Sequence, residues 1–282
     1  MRFSDLSVLR LRKSQIFGAG KSYSVDKILS ATNGPIGTLT FNQPERHNAM
    51  SLDMWRAATA VLDQFEEDAT VRVIVLTGAG GRAFVSGADI SKFESERASA
   101  DAVLEYNAAV DRFGQALGES SKPTIAMIRG YCLGGGVGIA VCCDLRIAND
   151  AARFAVPAAK LGLGYGYANV RRIMDLVGPQ FATEMLLTAR QFDAAQAERI
   201  GLVNHVVPDP EIESYVSDLA ATIAGNAPLT IRAVKRIVRE LRSDDPDVAA
   251  CDALARRCFE SADYREGRQA FLEKRKPVFR GI

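Results

Sequence analysis

Short runs rich in valine and isoleucine alternate with amphipathic helical segments between about residues 28 and 208, and this alternation most constrains the fold. Most of the runs lack a polar alternation, which is typical of strands covered on both faces. The pattern therefore predicts an α/β fold of ββα or βαβ units rather than a sandwich or a helical bundle. Six strands are expected, at residues 27–30, 36–42, 71–77, 124–128, 145–148 and 203–207.

The helical segments divide the chain into regions. Apolar side chains recur at helical spacing over residues 52–67 and 102–117, so both helices are expected to pack on the core. Beyond Pro208 the strand pattern ends, and residues 212–282 are expected to form helices only. We expect an N-terminal extension at 1–27, an α/β core at 28–211 and a helical lid or oligomer contact at 212–282.

Charge and cysteine usage exclude several functions. The chain has 35 lysines and arginines against 34 acidic residues, and this balance argues against nucleic acids and anionic membranes as partners. No apolar run reaches the roughly 18 residues of a membrane span. The five cysteines lack metal-ligand spacing, so we expect no metal, reduced thiols and a cytoplasmic location.

Two glycine-containing turns follow predicted strands. The first is FVSGADI at 84–90, and the second is GYCLGGGVG at 130–138, which is expected to open a helix running to Cys143 and Asp144. Neither turn has the spacing of a dinucleotide or P-loop motif. Glycines at a helix start let backbone N–H groups approach a ligand closely, so such a corner can stabilise developing negative charge.

Together with NQPERHNAM at 42–50 and AFLEKRKP at 270–277, these turns resemble the crotonase, or enoyl-CoA hydratase/isomerase, superfamily. The resemblance runs from about residue 28 to the C-terminus. It implies a spiral of stacked ββα units with a C-terminal helical region that forms trimers, often paired into hexamers. It also implies a coenzyme A thioester as substrate, with coenzyme A as part of that substrate and no separate cofactor.

The resemblance also implies roles for individual residues. The backbone N–H groups of Ala88 and Gly135 match the two donors that polarise the thioester carbonyl, and such a donor contributes roughly 3 to 4 kcal/mol. The expected contacts to coenzyme A are Ser86 and Arg46 around the adenine and, near the phosphates and often from a neighbouring subunit, Phe271 and Lys274. The basic end of the chain also fits a solvated helix end.

One departure from the family pattern is informative. Hydratases of this superfamily use two glutamates toward water, and the matching positions here are Gly138 and Ala158. Neither side chain transfers a proton, and each general acid or base typically contributes 10² to 10⁴ in rate. Hydration of a 2-enoyl-CoA by the usual route is therefore not favoured, and we expect a pocket without acidic side chains.

Three readings stay open. Loss of CO₂ from a malonyl-type thioester needs an enolate acceptor but no base, and Tyr165 matches a tyrosine that faces the carboxylate in methylmalonyl-CoA decarboxylases. Those enzymes usually have a histidine where Ala88 stands, and Tyr165 equally fits a core tyrosine. The family default is hydration, and a non-catalytic acyl-CoA binder is the third reading. Weaker candidates are Tyr131, Tyr167, Asp89 and Asp144, while His47 and His205 make no triad.

Overall fold

The computed structural model describes residues 25–92, 96 and 98–282. The expected extension at 1–27 lies outside these residues except for a 3-10 turn at Val25–Lys27. The first strand follows that turn directly, so the described chain begins where the α/β pattern begins.

A six-stranded sheet forms the centre of the molecule. Its first two strands pair antiparallel and the other neighbours pair parallel. In spatial order it contains β1 (Ile28–Asn33), β2 (Ile36–Phe41), β3 (Val73–Gly78), β5 (Thr124–Ile128), β7 (Leu145–Asn149) and β10 (His205–Val207). All six expected strands are present, with ends shifted by no more than three residues.

Burial on both faces explains why these strands lack polar alternation. In β3, Ile74 and Leu76 enter the main core, whereas Val73 and Val75 face a second apolar cluster on the opposite side. Helix α7 (Ile212–Ala224) covers that opposite side. A strand whose side chains are buried on both faces of the sheet has no face toward solvent. Its sequence therefore lacks the alternation of polar and apolar residues.

A second, four-stranded sheet was not expected from the sequence. Its strands have only two or three residues, too few to show a hydrophobic period. They are β4 (Ala83–Val85), β6 (Tyr131–Leu133), β8 (Arg153–Ala155) and β9 (Phe192–Asp193). The chain passes from β3 to β4, from β5 to β6 and from β7 to β8, each time followed by a helix. These are stacked ββα units, and the predicted spiral is confirmed.

Helices follow these strand pairs. Their bounds are α1 (Leu52–Glu67), α2 (Ala100–Glu119), α3 (Gly135–Ala140), α4 (Ala158–Leu161), α5 (Tyr167–Thr188) and α6 (Ala194–Arg199). The expectation that α3 runs to Cys143 and Asp144 is wrong, because the chain must turn at 141–144 for Leu145 to enter the large sheet. Helix α5 was missed, since Gly178 interrupts it with a φ of 74°.

Beyond Pro208 the described chain contains only helices, as expected. After α7 come α8 (Pro228–Glu240), α9 (Val248–Glu260) and α10 (Ala262–Leu272). Lys235 on α8 forms an ion pair of 2.6 Å with Asp144, which also accepts from the backbone of Thr124 at 2.7 Å. Asp144 thus connects α8 to the large sheet and has a structural role. Of the helices described, not one combines the length and apolarity of a membrane span.

Candidate active site

A cavity of about 300 Å³ lies where the two glycine turns meet. Gly87 and Ala88 from the first turn and Gly134 and Gly135 from the second line its wall. Both turns follow strands of the small sheet, and β4 pairs parallel with β6. Parallel pairing brings the carboxyl ends of both strands to one edge, so Gly87 and Gly134, 47 positions apart in sequence, become neighbours.

The first turn is held by a strand-like bridge to Met50. The Met50 N–H donates to the Gly87 carbonyl at 2.8 Å, and the Asp89 N–H donates to the Met50 carbonyl at 2.9 Å. In a parallel bridge the residue between these two bonds directs its own N–H to the other side. The Ala88 amide therefore points away from Met50.

The second turn is locked by close backbone packing. A Cβ on Gly136 would lie 2.2 Å from the Val85 carbonyl oxygen, so a side chain does not fit there. The Gly134 N–H donates to the Ala155 carbonyl at 2.8 Å, while Gly135 begins α3 and has no intrahelical acceptor for its amide. A Cβ on Gly87 would lie 3.9 Å from the Gly135 nitrogen, so the two corners are in contact.

Within the described residues, the amides of Ala88 and Gly135 have no protein acceptor. Trp55 supports this corner, since its ring lies 3.4 Å from a Cβ built on Gly135. Its indole N–H donates to the Tyr106 hydroxyl at 2.9 Å. Helical spacing over residues 52–67 and 102–117 predicts core positions for Trp55, Tyr106 and Phe113, and the structure places them in the cavity wall as well. Spacing alone does not separate these two roles.

The positions of the two missing glutamates, Gly138 and Ala158, both line the cavity. The Tyr165 hydroxyl fills the space beside Gly138, 3.6 Å from a Cβ built there. This hydroxyl is buried and has no hydrogen-bond partner in the described chain. Burial, followed by the nearby thiols of Cys142 and Cys132, raises the pKa of Tyr165 well above its ordinary range. The phenol is therefore neutral and is a hydrogen-bond donor.

The expectation of a pocket without acidic side chains is wrong. Asp111 lines the cavity, and among the described residues it is the one carboxylate that does so. It stands on α2 with Asn107, Val110 and Gly114, which recur at helical spacing along the face toward the cavity. The sequence shows an apolar stripe on this helix, but only the packing shows that the stripe's edge borders the site.

The residues expected near the adenine form a connected group. Ser86 lines the cavity, and its N–H donates to the His47 carbonyl at 3.1 Å. Arg46 forms an ion pair with Asp89 at 3.2 Å and also hydrogen-bonds Ser91. Burial raises the pKa of Asp89, but hydrogen bonds from Ser91 and the charge of Arg46 outweigh it and hold that pKa below its usual value. Asp89 therefore positions Arg46.

Phe271 and Lys274 lie away from this cavity. Phe271 is 84% exposed at the end of α10, and Lys274 follows it with a positive φ of 54°. Their proposed contact with coenzyme A thus stays a prediction that requires a neighbouring subunit. Of the weaker candidates, Tyr131 and Tyr167 do not line the cavity either.

Thiol chemistry is not favoured at this site. Burial raises the pKa of Cys132, Cys142 and Cys143, so these side chains are thiols rather than thiolates. The five cysteines are free, as expected, although Cys142 and Cys258 are only partly buried. His47 and His205 contact different tyrosines, Tyr131 and Tyr215, which agrees with the absence of a triad.

Comparison with known proteins identifies the family. The model of the enoyl-CoA hydratase/isomerase family matches residues 31–281. A crotonyl-CoA hydratase of Syntrophomonas wolfei is 35% identical over 90% of this chain and 98% of its own length. A mitochondrial Δ(3,5)-Δ(2,4)-dienoyl-CoA isomerase of Dictyostelium discoideum is 32% identical and covers 87% of each chain.

The fold agrees with solved relatives. The crystal structure of an enoyl-CoA hydratase/carnithine racemase from Magnetospirillum magneticum superposes with a TM-score of 0.88, at 36% identity over 92% of this chain and 97% of that one. Sequence and fold thus point the same way across almost the whole described chain. This protein belongs to the enoyl-CoA hydratase/isomerase family of the crotonase superfamily.

Proposed function

We propose that the protein binds an acyl-CoA thioester with its carbonyl oxygen between the amides of Ala88 and Gly135, and that these amides stabilise an enolate. Two observations support this proposal. The glycine turns at Gly87 and Gly135 are in contact, and the amides of Ala88 and Gly135 have no protein acceptor in the described chain. Preorganised donors of this kind stabilise charge that develops in the transition state.

The reaction that this geometry supports best is loss of CO₂ from a malonyl-type thioester. The bond between the α-carbon and the carboxylate breaks, its electron pair enters the thioester enolate, and CO₂ leaves. The α-carbon then takes a proton. No general base is needed, and none is present at Gly138 or Ala158.

The observation that carries this proposal is the buried, unpartnered hydroxyl of Tyr165 at the place of the missing glutamate. A buried hydroxyl without a partner costs roughly 1 to 3 kcal/mol, which a ligand oxygen would offset. A neutral phenol donates to the substrate carboxylate without repelling it, and it can orient the group that leaves. A glutamate at Gly138 would repel the same carboxylate.

The test compares methylmalonyl-CoA, with CO₂ release as the readout, and crotonyl-CoA, with loss of enoyl absorbance as the readout. We expect CO₂ release that falls at least about 100-fold in Tyr165→Phe, with hydration close to the uncatalysed rate. Efficient hydration without CO₂ release would overturn the decarboxylation proposal. Tight binding of coenzyme A thioesters without turnover would favour a non-catalytic binder.

One observation favours a second candidate, proton transfer to or from an enoyl-CoA. Asp111 lines the cavity, and its carboxylate is the one described group there that can act as a general base. The reaction would then be hydration or double-bond isomerisation, as the relatives' names indicate for those proteins. Asp111→Asn separates the two, because it would abolish these reactions and leave CO₂ release largely intact.

We further propose that the coenzyme A moiety contacts Ser86 and Arg46 of the same chain and Phe271 and Lys274 of a neighbouring subunit in a trimer or hexamer. The distance of the last two residues from the described cavity and the exposure of Phe271 support this arrangement.

A further inference from the structure

A chain of buried hydrogen bonds runs from α1 through α2 to the turn that carries Ala88. The Trp55 indole N–H on α1 donates to the Tyr106 hydroxyl on α2 at 2.9 Å. That hydroxyl donates in turn to the Met50 carbonyl at 3.2 Å. Trp55 and Tyr106 are each 3% exposed and Met50 is fully buried, so water does not compete for these bonds. The two bonds therefore fix the orientation of the Met50 carbonyl.

The Met50 carbonyl also holds the first glycine turn. It accepts a second hydrogen bond from the Asp89 N–H at 2.9 Å, and the Met50 N–H donates to the Gly87 carbonyl at 2.8 Å. Ala88 lies between these two bonds and forms the bridge with Met50. A carbonyl oxygen has two lone pairs, so Tyr106 and Asp89 together satisfy it. Any rotation of this carbonyl would change the direction of the Ala88 amide.

The same tryptophan touches the second glycine turn. Two atoms of the Trp55 ring lie 3.4 and 3.7 Å from a Cβ built on Gly135. On another side the ring packs edge-to-face with Phe113, with the ring centroids 5.4 Å apart. The indole is thus fixed by Phe113 and by its bond to Tyr106, and it limits how far Gly135 can move. One pair of side chains, Trp55 and Tyr106, therefore links the backbone segments that present both amides.

We propose that Tyr106 and Trp55 are positioning residues that set the relative placement of the Ala88 and Gly135 amides. This inference rests on the proposed acyl-CoA site and adds two side chains that act on it through the backbone. Hydrogen bonds weaken steeply as they bend, so stabilisation by such donors depends on their direction. A small rotation of the Ala88 amide would lower the polarisation of the thioester carbonyl. The affinity for coenzyme A would not change, because it depends on other contacts.

The test measures the carbonyl stretch of bound acetyl-CoA, with an isotopic label at the carbonyl carbon, by infrared difference spectroscopy on the full chain. Acetyl-CoA has no carboxylate to lose, so CO₂ release does not consume it. Hydrogen bonds from two amides should lower the stretching frequency in the wild type relative to acetyl-CoA in solution. Tyr106→Phe should lose most of this shift and keep a Kd within about threefold of the wild type.

Thr59→Val is the matched control. Thr59 is a buried residue of α1, and its hydroxyl donates to the Trp55 backbone carbonyl at 2.9 Å, so the variant also removes one buried hydroxyl bond. It should retain the full shift. Trp55→Phe removes the indole N–H and the ring atoms that face Gly135, so it should lose the shift as well, and it carries the test if Tyr106→Phe does not fold. With methylmalonyl-CoA, both variants should lower kcat about 10- to 100-fold and change KM little.

Three outcomes would overturn the inference and leave the proposed acyl-CoA site intact. A full shift in Tyr106→Phe would give the tyrosine a structural role only. A weaker Kd with an unchanged shift would make Tyr106 a binding residue. Equal loss of the shift in Thr59→Val would attribute the effect to general loosening of α1. A wild type that does not bind acetyl-CoA, or binds it without a lower stretching frequency, would instead refute the proposed function together with the inference.

Discussion

The Tyr165 hydroxyl lowers the stability of the unliganded protein. It is buried without a partner, and its surroundings are apolar side chains and thiols. Natural proteins satisfy most buried polar groups, and a conspicuous exception is a candidate for a ligand contact. At the scale of single residues, four buried side-chain polar atoms in the described chain lack a partner, and the Tyr165 hydroxyl is the one that belongs to a residue lining the cavity.

Tyr165→Phe should therefore separate stability from activity. Removing an unpartnered buried hydroxyl is expected to raise the free energy of unfolding by about 1 kcal/mol, because the desolvation cost disappears. The same change should abolish CO₂ release. Urea denaturation and turnover of methylmalonyl-CoA on one preparation measure both. A loss of stability of 1 kcal/mol or more would mean that the hydroxyl has a structural role instead.

Restoring the two family glutamates is the second prediction at this scale. The Cβ of residue 138 would lie 3.6 Å from the Tyr165 oxygen, an ordinary contact that the phenol can accept. The double variant Gly138→Glu/Ala158→Glu should hydrate crotonyl-CoA at least about 100-fold faster than wild type, since it regains an acid and a base.

The matched control is Gly138→Gln/Ala158→Gln, which adds nearly the same volume without proton-transfer groups. It should stay at the wild-type level of hydration. Equal rates in the two double variants would show that the site geometry, rather than the missing carboxylates, limits hydration.

At the scale of elements, the site depends on how closely β4 and α3 approach. The Cβ position of Gly136 lies 2.2 Å from the Val85 carbonyl oxygen, and neither backbone can retreat, because β4 is paired within its sheet. Gly136→Ala should therefore lower the free energy of unfolding by more than about 3 kcal/mol or prevent folding.

Gly164→Ala provides the control, since a Cβ there meets no atom within 4 Å. Its free energy of unfolding should stay within about 1 kcal/mol of the wild type. Denaturation midpoints of the two variants give the comparison. Similar stabilities would mean that α3 shifts freely, and the fixed relation between Ala88 and Gly135 would then be lost.

At the scale of the whole molecule, the proposed site spans two subunits. The protein should sediment at three or six times its chain mass of 30.5 kDa. Lys274→Ala should raise the Kd for coenzyme A thioesters, although Lys274 lies away from the cavity of its own chain.

Subunit mixing tests the shared site directly. Tyr165→Phe and Lys274→Ala chains should each be inactive or weakly active alone. Refolded together at equal amounts, they should regain about a quarter of wild-type activity, because one site in four then combines two intact contributions. No recovery in verified mixed oligomers would place both residues in the same subunit's site.

The large sheet and the helices α1 and α2 were predictable from the sequence. The strands form runs rich in valine and isoleucine, and the helices are long enough to show apolar residues at helical spacing. The glycine turns were found from their resemblance to a family motif, together with the positions that lack glutamate. The small sheet was not predictable, since its strands have two or three residues, and helix α5 was hidden by its interruption at Gly178.

The sequence by itself determined the architecture, the family and the absence of both glutamates, because these depend on residue type and order along the chain. Only the tertiary structure decided which side chains surround Gly138 and Ala158, the two positions that lack glutamate. Tyr165 was indicated by the family resemblance, but nothing in the local pattern of α2 distinguishes Asp111 from other surface residues, and the buried, unpartnered state of the Tyr165 hydroxyl is a property of the folded chain. Both residues line one cavity because tertiary packing brings α2 and the loop at Tyr165 together, and in the proposed function they lie around the acyl group.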